Sequence, residues 1–208
     1  MSSAYGKIHQ QLNSIDHLFP LKDALKNNDP VEIIKLQPGH IDQLHALLNL
    51  IIREGKTYPF EQELDRDQFI QYFSPGFVCV RGDKVLGAFY VKPNFPGRCS
   101  HICNGGFIVE PAARGLGVAK VMCRAFLQIA PALGYKASMF NLVFENNTGS
   151  VRVWESFGFK IIGRVPKAGR LEGSDQYVDA IQYYYEFQEN KVPRHYSSIL
   201  FEKIFSKS

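Results

Sequence analysis

Long apolar runs are absent from this chain of 208 residues. The most hydrophobic stretch, around Leu47 to Ile52, is far shorter than the roughly 20 residues a bilayer-spanning helix needs, so no membrane partner is expected. Basic clusters are also missing. Lys and Arg number 24 against 20 acidic residues, a formal charge of +4, and they are scattered. No stripe of positive charge marks a nucleic-acid surface. Cysteine is scarce, at four: Cys79, Cys99, Cys103 and Cys123. A chain this long and apolar needs no disulfide framework, and reduced core thiols are expected. Cys99, His101 and Cys103 would share one face of a strand, but no fourth ligand or second pair completes a zinc site, so no metal is expected. The first residues lack a hydrophobic signal core, hold no Arg before Arg53 and carry Asp16 and Asp23. That pattern gives no signal peptide and weighs against a mitochondrial presequence, so a cytoplasmic address is expected, with a mitochondrial one as the alternative.

What the chain has is core-forming material: 45% of residues are hydrophobic, with 16 Phe and 10 Tyr. One α/β domain is expected over residues 31–190, between an N-terminal extension (1–30) with one helix and a C-terminal tail (191–208). Val31 to Leu36 reads as a short strand stopped by Pro38-Gly39. Ile41, Leu44, Leu47, Leu48 and Ile51 then recur at helical spacing up to Gly55, and a second short helix covers Asp65 to Phe73. Phe77–Val80 and Val85–Val91 form a hairpin, and a third strand runs from about Cys99 to Val109. Gly105-Gly106 inside it marks a bulge or a close backbone approach. After Pro111, the residues Val118, Val121, Met122, Ala125, Ile129 and Leu133 line one face of a helix. A strand (136–144), a helix (148–157) and two strands (159–165 and 177–187) complete the order β-α-α-β-β-β-α-β-α-β-β.

The stretch from Phe107 to Lys120 carries the chemistry. A strand ends, the chain turns at Pro111, and Arg114-Gly115-Leu116-Gly117-Val118-Ala119 opens a helix. The first N–H groups of a helix have no internal partner and sit at the positive end of its dipole. Gly115 and Gly117 let a phosphate approach them. No Gly-Lys-Ser/Thr follows Gly117, so this is not a P-loop, and G-x-G-x-x-G is incomplete. Alone, the pattern is equally a helix start with permissive glycines.

A second set follows: Asn147, Ser150, Val153, Trp154, Gly158 and Phe159. Together, Arg114-x-x-Gly117-x-Ala119 and this set resemble the R/Q-x-x-G-x-G/A and N-x-x-A-x-x-L-Y-x-x-x-G-F segments of the GNAT acetyltransferase superfamily. Longer words are similar to the yeast azetidine-2-carboxylate (proline-analogue) branch of that superfamily: Gly55 to Pro59, Phe89 to Asn94, Arg98 to His101, Phe140 to Phe144, Val165-Pro166-x-Ala168-Gly169 and Val178 to Ile181. The first 50 residues and those after Phe187 share no such likeness.

The resemblance implies a mixed, mostly antiparallel sheet flanked by helices, with a splayed strand pair holding acetyl-CoA. It implies that an amine attacks the acetyl thioester directly while both substrates are bound. The backbone of Phe107, Ile108 and Val109 would meet the acetyl group and pantetheine arm, and Arg114, Gly115, Leu116, Gly117, Val118 and Ala119 the pyrophosphate, with Lys120 nearby. Asn147 would touch the pantetheine arm. Asn141 and Asn147 are placed at the catalytic centre, and Asn104, Asn141 and Leu142 around an amino-acid carboxylate, which neutral amides would hold without burying a lone cation. A homodimer is implied too, and the run Tyr183-Tyr184-Tyr185-x-Phe187 would supply an interface or a buried final strand.

One position departs from the family. Its usual Tyr, which protonates the leaving thiolate, is Trp154 here. An indole N–H donates but is no usable acid. No general base stands out. Glu145, His101 and a water relay are the options. Glu61, Glu63, Asp65 and Asp67 would suit an enzyme acting on basic peptides, and a non-catalytic acyl-CoA sensor would also keep the cradle, so both alternatives stand.

Overall fold

The computed structural model describes Leu12 and residues 14–187. The expected tail at 191–208 and nearly all of residues 1–13 lie outside the described residues. The sequence patterns become elements as follows: β1 Leu21–Ala24, β2 Pro30–Lys35, α1 Ile41–Glu54, α2 Arg66–Phe73, β3 Gly76–Arg81, β4 Lys84–Tyr90, β5 Lys92–Pro93, β6 Ile102–Asn104, β7 Phe107–Val109, α3 Val118–Ala132, β8 Ala137–Phe144, α4 Thr148–Ser156, β9 Lys160–Arg170 and β10 Tyr177–Glu186.

The helices obey their apolar spacing. α1 buries Leu44, Leu47, Leu48, Ile51 and Ile52 and ends at the left-handed Gly55. α2 is opened by a reciprocal cap in which Asp65 accepts from Gln68 N–H while the Gln68 side chain accepts from Asp65 N–H. α3 buries Val118, Val121, Met122, Ala125, Phe126 and Ile129.

The strands form two five-stranded sheets, ordered β1-β2-β3-β4-β7 and β5-β6-β8-β10-β9. Every pairing is antiparallel except β6 with β8. The strand expected from Cys99 to Val109 is therefore two strands in two sheets, and the chain crosses between them at Gly105-Gly106. A side chain at either glycine would collide: a Cβ on Gly105 would lie 2.8 Å from Phe126, and one on Gly106 2.4 Å from Tyr90. Cys99 sits exposed in a short 3-10 turn (Gly97–Cys99) while Cys103 is buried on β6, so the two do not share a strand face.

One side of the first sheet packs on α1 and α2 through Val78, Ala88, Tyr90 and Ile108. The other packs on α3 through Phe77, Phe89, Phe126 and Ile129. Residues 15–30, expected as an extension, contribute to this body. Ile15 and Leu25 are buried, β1 pairs with β2, and Asp23 accepts two hydrogen bonds from Arg124 of α3, at 2.6 and 3.0 Å. The sequence Leu-Lys-Asp-Ala hides an edge strand because it is short and half charged, and its pairing shows only in the backbone ladder with β2.

Candidate active site

Beyond Ser138 the strand β8 has no partner on the side of β6 and β7. β7 is the last strand of its sheet, so its outer edge carries no ladder. β6 and β8 run parallel, and the chain of β7 continues β6. The gap therefore opens between β7 and the second half of β8, toward their carboxyl ends. Loops that bind ligands concentrate at such ends in α/β sheets. Arg114–Ala119 follows β7 and Asn147 follows β8, so the two signatures flank one mouth.

The first signature forms a donor cradle. Gly115 and Gly117 have φ of +82° and +94°, left-handed values that side chains rarely adopt. The N–H groups of Gly115, Gly117, Val118 and Ala119 have no acceptor among the described residues. With the helix dipole behind them they suit a pyrophosphate. Lys26 lies across this loop. Its N–H donates to Leu116 C=O and its ammonium to Gly115 C=O, both at 3.1 Å. Arg114 turns the other way and pairs with Glu54 at 2.8 Å. Lys120 is exposed beside the cradle.

Asn147 caps α4: its Oδ1 accepts from Ser150 N–H at 3.2 Å, which leaves the amide nitrogen as a donor. Trp154 is 5% exposed between the splayed strands, 4.8 Å from the Phe107 ring and 4.4 Å from that of Phe140. Its indole N–H is buried and unpartnered. The aromatic packing fits a core role and leaves one donor unused.

On β8 the register runs Phe140↔Tyr183 and Val143↔Ile181, so Asn141 and Leu142 together face Gln182 in a bulge. The Asn141 amide is already taken. It forms a reciprocal pair with Asn94 at 2.9 and 2.5 Å. What Asn141 and Leu142 offer a ligand is therefore backbone. Asn104 fixes its Oδ1 on Gly105 N–H at 2.8 Å, leaving its amide nitrogen free.

Side chains alternate along β6 and β7. Cys103, Gly105 and Phe107 face the α3 core, so Asn104, Gly106 and Ile108 face α1 and α2. On that second face stand Tyr58, Tyr72 and Tyr90. The Tyr72 and Tyr90 hydroxyls lie 3.2 Å apart. Tyr58 Oη is buried without a partner and would be 2.7 Å from a Cβ on Gly106. Burial pushes all three hydroxyls above the ordinary tyrosine range, so they stay protonated donors. Lys92, the cross-strand partner of Asn104, holds its ammonium 4.3 Å from both the Tyr72 and Tyr90 ring centroids. The splay thus has one face toward α3, beside the donor cradle, and a second toward α1 and α2, which would be left for an acceptor.

Neither acid–base candidate reaches this place. His101 is exposed ahead of β6, and Glu145 is exposed and ion-paired with Arg164. Two shallow cavities, about 330 and 440 Å³, also lie elsewhere. One is lined by α1 residues with Glu110, the other by Glu145, Asn146, Val178 and Asp179. The sequence pattern assigns no role to Lys26, Lys92 or Tyr58, although Tyr58 and Lys92 fall within the words Gly55–Pro59 and Phe89–Asn94 that carry the resemblance.

Among the described residues no helix is long and apolar enough to cross a membrane. Residues 43–159 match the acetyltransferase (GNAT) family. The N-acetyltransferase aca1 of Schizosaccharomyces pombe is 40% identical over 174 residues, 74% of this chain and 83% of that protein. A GCN5-related N-acetyltransferase from Kribbella flavida superimposes with a TM-score of 0.71 at 30% identity, covering 75% of this chain and 97% of the other. The protein yncA of Salmonella typhimurium, solved with its cofactor acetyl-CoA, has the same fold at 16% identity, with a TM-score of 0.70 over 80% of this chain and 99% of its own. With both signatures at the mouth of a splayed strand pair, the chain belongs to the acetyltransferase (GNAT) family of enzymes, with acetyl-CoA as acyl donor.

Proposed function

We propose that the chain acetylates the secondary amine of a small cyclic amino acid, azetidine-2-carboxylate or a related proline analogue, by direct attack in a ternary complex. The observation that carries this reading is Asn104. Its Oδ1 is fixed by Gly105 N–H, so its amide nitrogen is a pre-oriented, unspent donor on the acceptor face. An α-carboxylate supplies the matching acceptor next to the attacking nitrogen. The backbone of the Asn141-Leu142 bulge adds donors from the facing strand.

Acetyl-CoA supplies an acyl group activated as a thioester. The N–H groups of Gly115, Gly117, Val118 and Ala119 would hold its pyrophosphate, with Arg114 and Leu116 completing the loop. The open edge of Phe107, Ile108 and Val109 and the Asn147 amide would hold its arm. Trp154 presents a donor to the same gap but cannot give up its proton. The acceptor's ammonium proton must leave before attack, and water at the mouth is the available carrier because His101 and Glu145 face away.

An acceptor made of basic peptide fits less well. Of the four acidic residues near α2, Glu63 pairs with Arg53 at 2.7 Å and Asp65 caps the helix, so both are committed to the fold. Thioester-release assays with azetidine-2-carboxylate, its amide, pyrrolidine and a basic peptide decide the matter. The acid should be the best substrate, and Asn104→Ala should raise its KM ~10–100-fold, the value of one charge-assisted hydrogen bond, with little change for acetyl-CoA. Equal rates with acid and amide end the reading, and preference for the peptide replaces it.

The same proposal includes a cytoplasmic homodimer. The tyrosine run does not supply its interface, because Tyr183 and Phe187 are buried and β10 lies between β8 and β9. The edge strand β9 exposes Ile161 and Ile162, at 51% and 52%. An unpaired edge with apolar side chains suits a second copy. Monomer alone in sedimentation at micromolar concentration would remove that part.

A further inference from the structure

The acceptor face holds a charge that an amide pocket does not require. Lys92 is half-buried, donates to Tyr72 C=O at 2.8 Å, and lies over two phenol rings. No carboxylate pairs with it among the described residues. Buried ammonium groups are ordinarily paired, because desolvation disfavours the charge. The groups around it are neutral: Tyr72 from α2, Tyr90 from β4, Tyr58 behind them from the α1–α2 loop, and Asn104 from β6. Since the three phenols stay protonated, no phenolate balances the lysine. Aromatic faces attract a cation, but more weakly than a paired carboxylate does.

Asn104 stands directly across the β5–β6 ladder from Lys92. Directly paired residues project to one face with Cβ atoms about 5 Å apart. Past Gly106 on that face lies the unpartnered hydroxyl of Tyr58. Ammonium, amide and hydroxyl thus stand on one face as donors, with no carboxylate among the groups described around them.

We propose that Lys92 is the counter-charge of the acceptor's α-carboxylate, with the Asn104 amide and the Tyr58 hydroxyl as its neutral co-donors. This rests on the amino-acid reading and adds to it. The substrate class narrows to small amines that carry a carboxylate, and the side chain that enforces the narrowing is a cation rather than an amide. Burial brings Lys92 down to about 8, so the lysine of the free enzyme loses its proton just above neutral pH. A bound carboxylate favours the charged form, and binding of the acid therefore weakens as pH rises through about 8.

The test compares azetidine-2-carboxylate with its amide, in the intact chain and in Lys92→Met and Lys92→Gln, across pH 6.5 to 9.5. Acetyl-CoA binding by calorimetry serves as the check on folding. In the unaltered enzyme, KM for the acid should climb about tenfold per pH unit above 8 while KM for the amide shows no such climb. Either substitution should raise KM for the acid at pH 7 by tenfold or more, leave the amide within about twofold, and flatten the climb. If the acid-to-amide preference survives both substitutions, Lys92 is not the counter-charge, while the amino-acid reading stands. If kcat falls alike for acid and amide, Lys92 takes a proton instead, and the assignment fails. If the unaltered enzyme shows no preference for the acid, the amino-acid reading falls and takes the assignment with it.

Discussion

Asn94 and Asn141 hold each other amide to amide, each donating to the other's carbonyl oxygen across the gap between the β5–β6 loop and β8. Removing either partner strands a half-buried amide, at a cost of about 1–2 kcal/mol. Asn94→Ala and Asn141→Ala should destabilise the fold by similar amounts. The double variant should lose clearly less than the sum, because the second change removes a group already unpaired. Since the pair seats the β8 bulge, either change should raise KM for the amino acid and not for acetyl-CoA. Additive effects in urea unfolding would mean the two amides act independently.

Gly117 separates strain from charge. Its φ is +94°, and a Cβ there would stand 3.1 Å from Lys26 Cγ, so any side chain is penalised. Gly117→Ala should therefore lower stability by about 1–2 kcal/mol and weaken acetyl-CoA binding moderately. Gly117→Asp adds a carboxylate where the pyrophosphate would sit. It should bind acetyl-CoA at least tenfold more weakly than the Ala variant, and the gap should narrow as salt is added. Equal affinities for the two variants in calorimetry would mean that the loop carries no anion.

Trp154 gives a different separation. Trp154→Phe should cost about 1–3 kcal/mol from lost packing against Phe107 and Phe140, yet retain most turnover per folded molecule. Trp154→Tyr restores the family's usual residue and should not raise the rate. A large gain in kcat with Tyr would show that protonation of the leaving thiolate limits this enzyme.

Lys92 also links stability to pH. Its unfolded value is near 10.5 and its folded value about 8. Below pH 8 both states hold the proton, and the folded chain bears the full penalty of burying the charge. Between 8 and 10.5 the unfolded chain binds more protons, so the penalty is relieved as pH rises. The Tm of the unaltered protein should therefore gain on that of Lys92→Met between pH 7 and 10. A Tm difference independent of pH would show that Lys92 ionises in the fold as it does in the unfolded chain.

Much of the fold is legible in the sequence, and the limits have physical causes. α1 and α3 declare themselves through helical spacing, and Gly105-Gly106 through glycine where a strand should have side chains. The cradle reads from Arg114 to Ala119 because its chemistry is backbone chemistry, local in sequence. The acceptor face is different. Lys92, Asn104, Tyr58 and Tyr72 come from four separate elements, and only the pairing of β5 with β6 and the packing of α2 bring them together. β1 is invisible in the sequence because an edge strand of four residues, half of them charged, has too little apolar pattern to show. Lys26 is hidden with it. Trp154 visibly departs from the family, but its unused N–H is a fact of packing.

The last turn of α1 has a further consequence. Glu54 pairs with Arg114 of the cradle loop, and the next residue, Gly55, accepts a hydrogen bond from Glu172 N–H in the β9–β10 turn at 3.0 Å. The segment carrying Tyr58 leaves the helix at that junction. The loops proposed for the two substrates therefore share one anchorage, although they share no contact residue. A half-exposed ion pair is worth under about 1 kcal/mol, so the anchorage biases the loops without locking them. If binding at one loop shifts this anchorage, affinity for one substrate will depend on occupancy by the other, and by thermodynamic reciprocity the dependence will run equally in both directions.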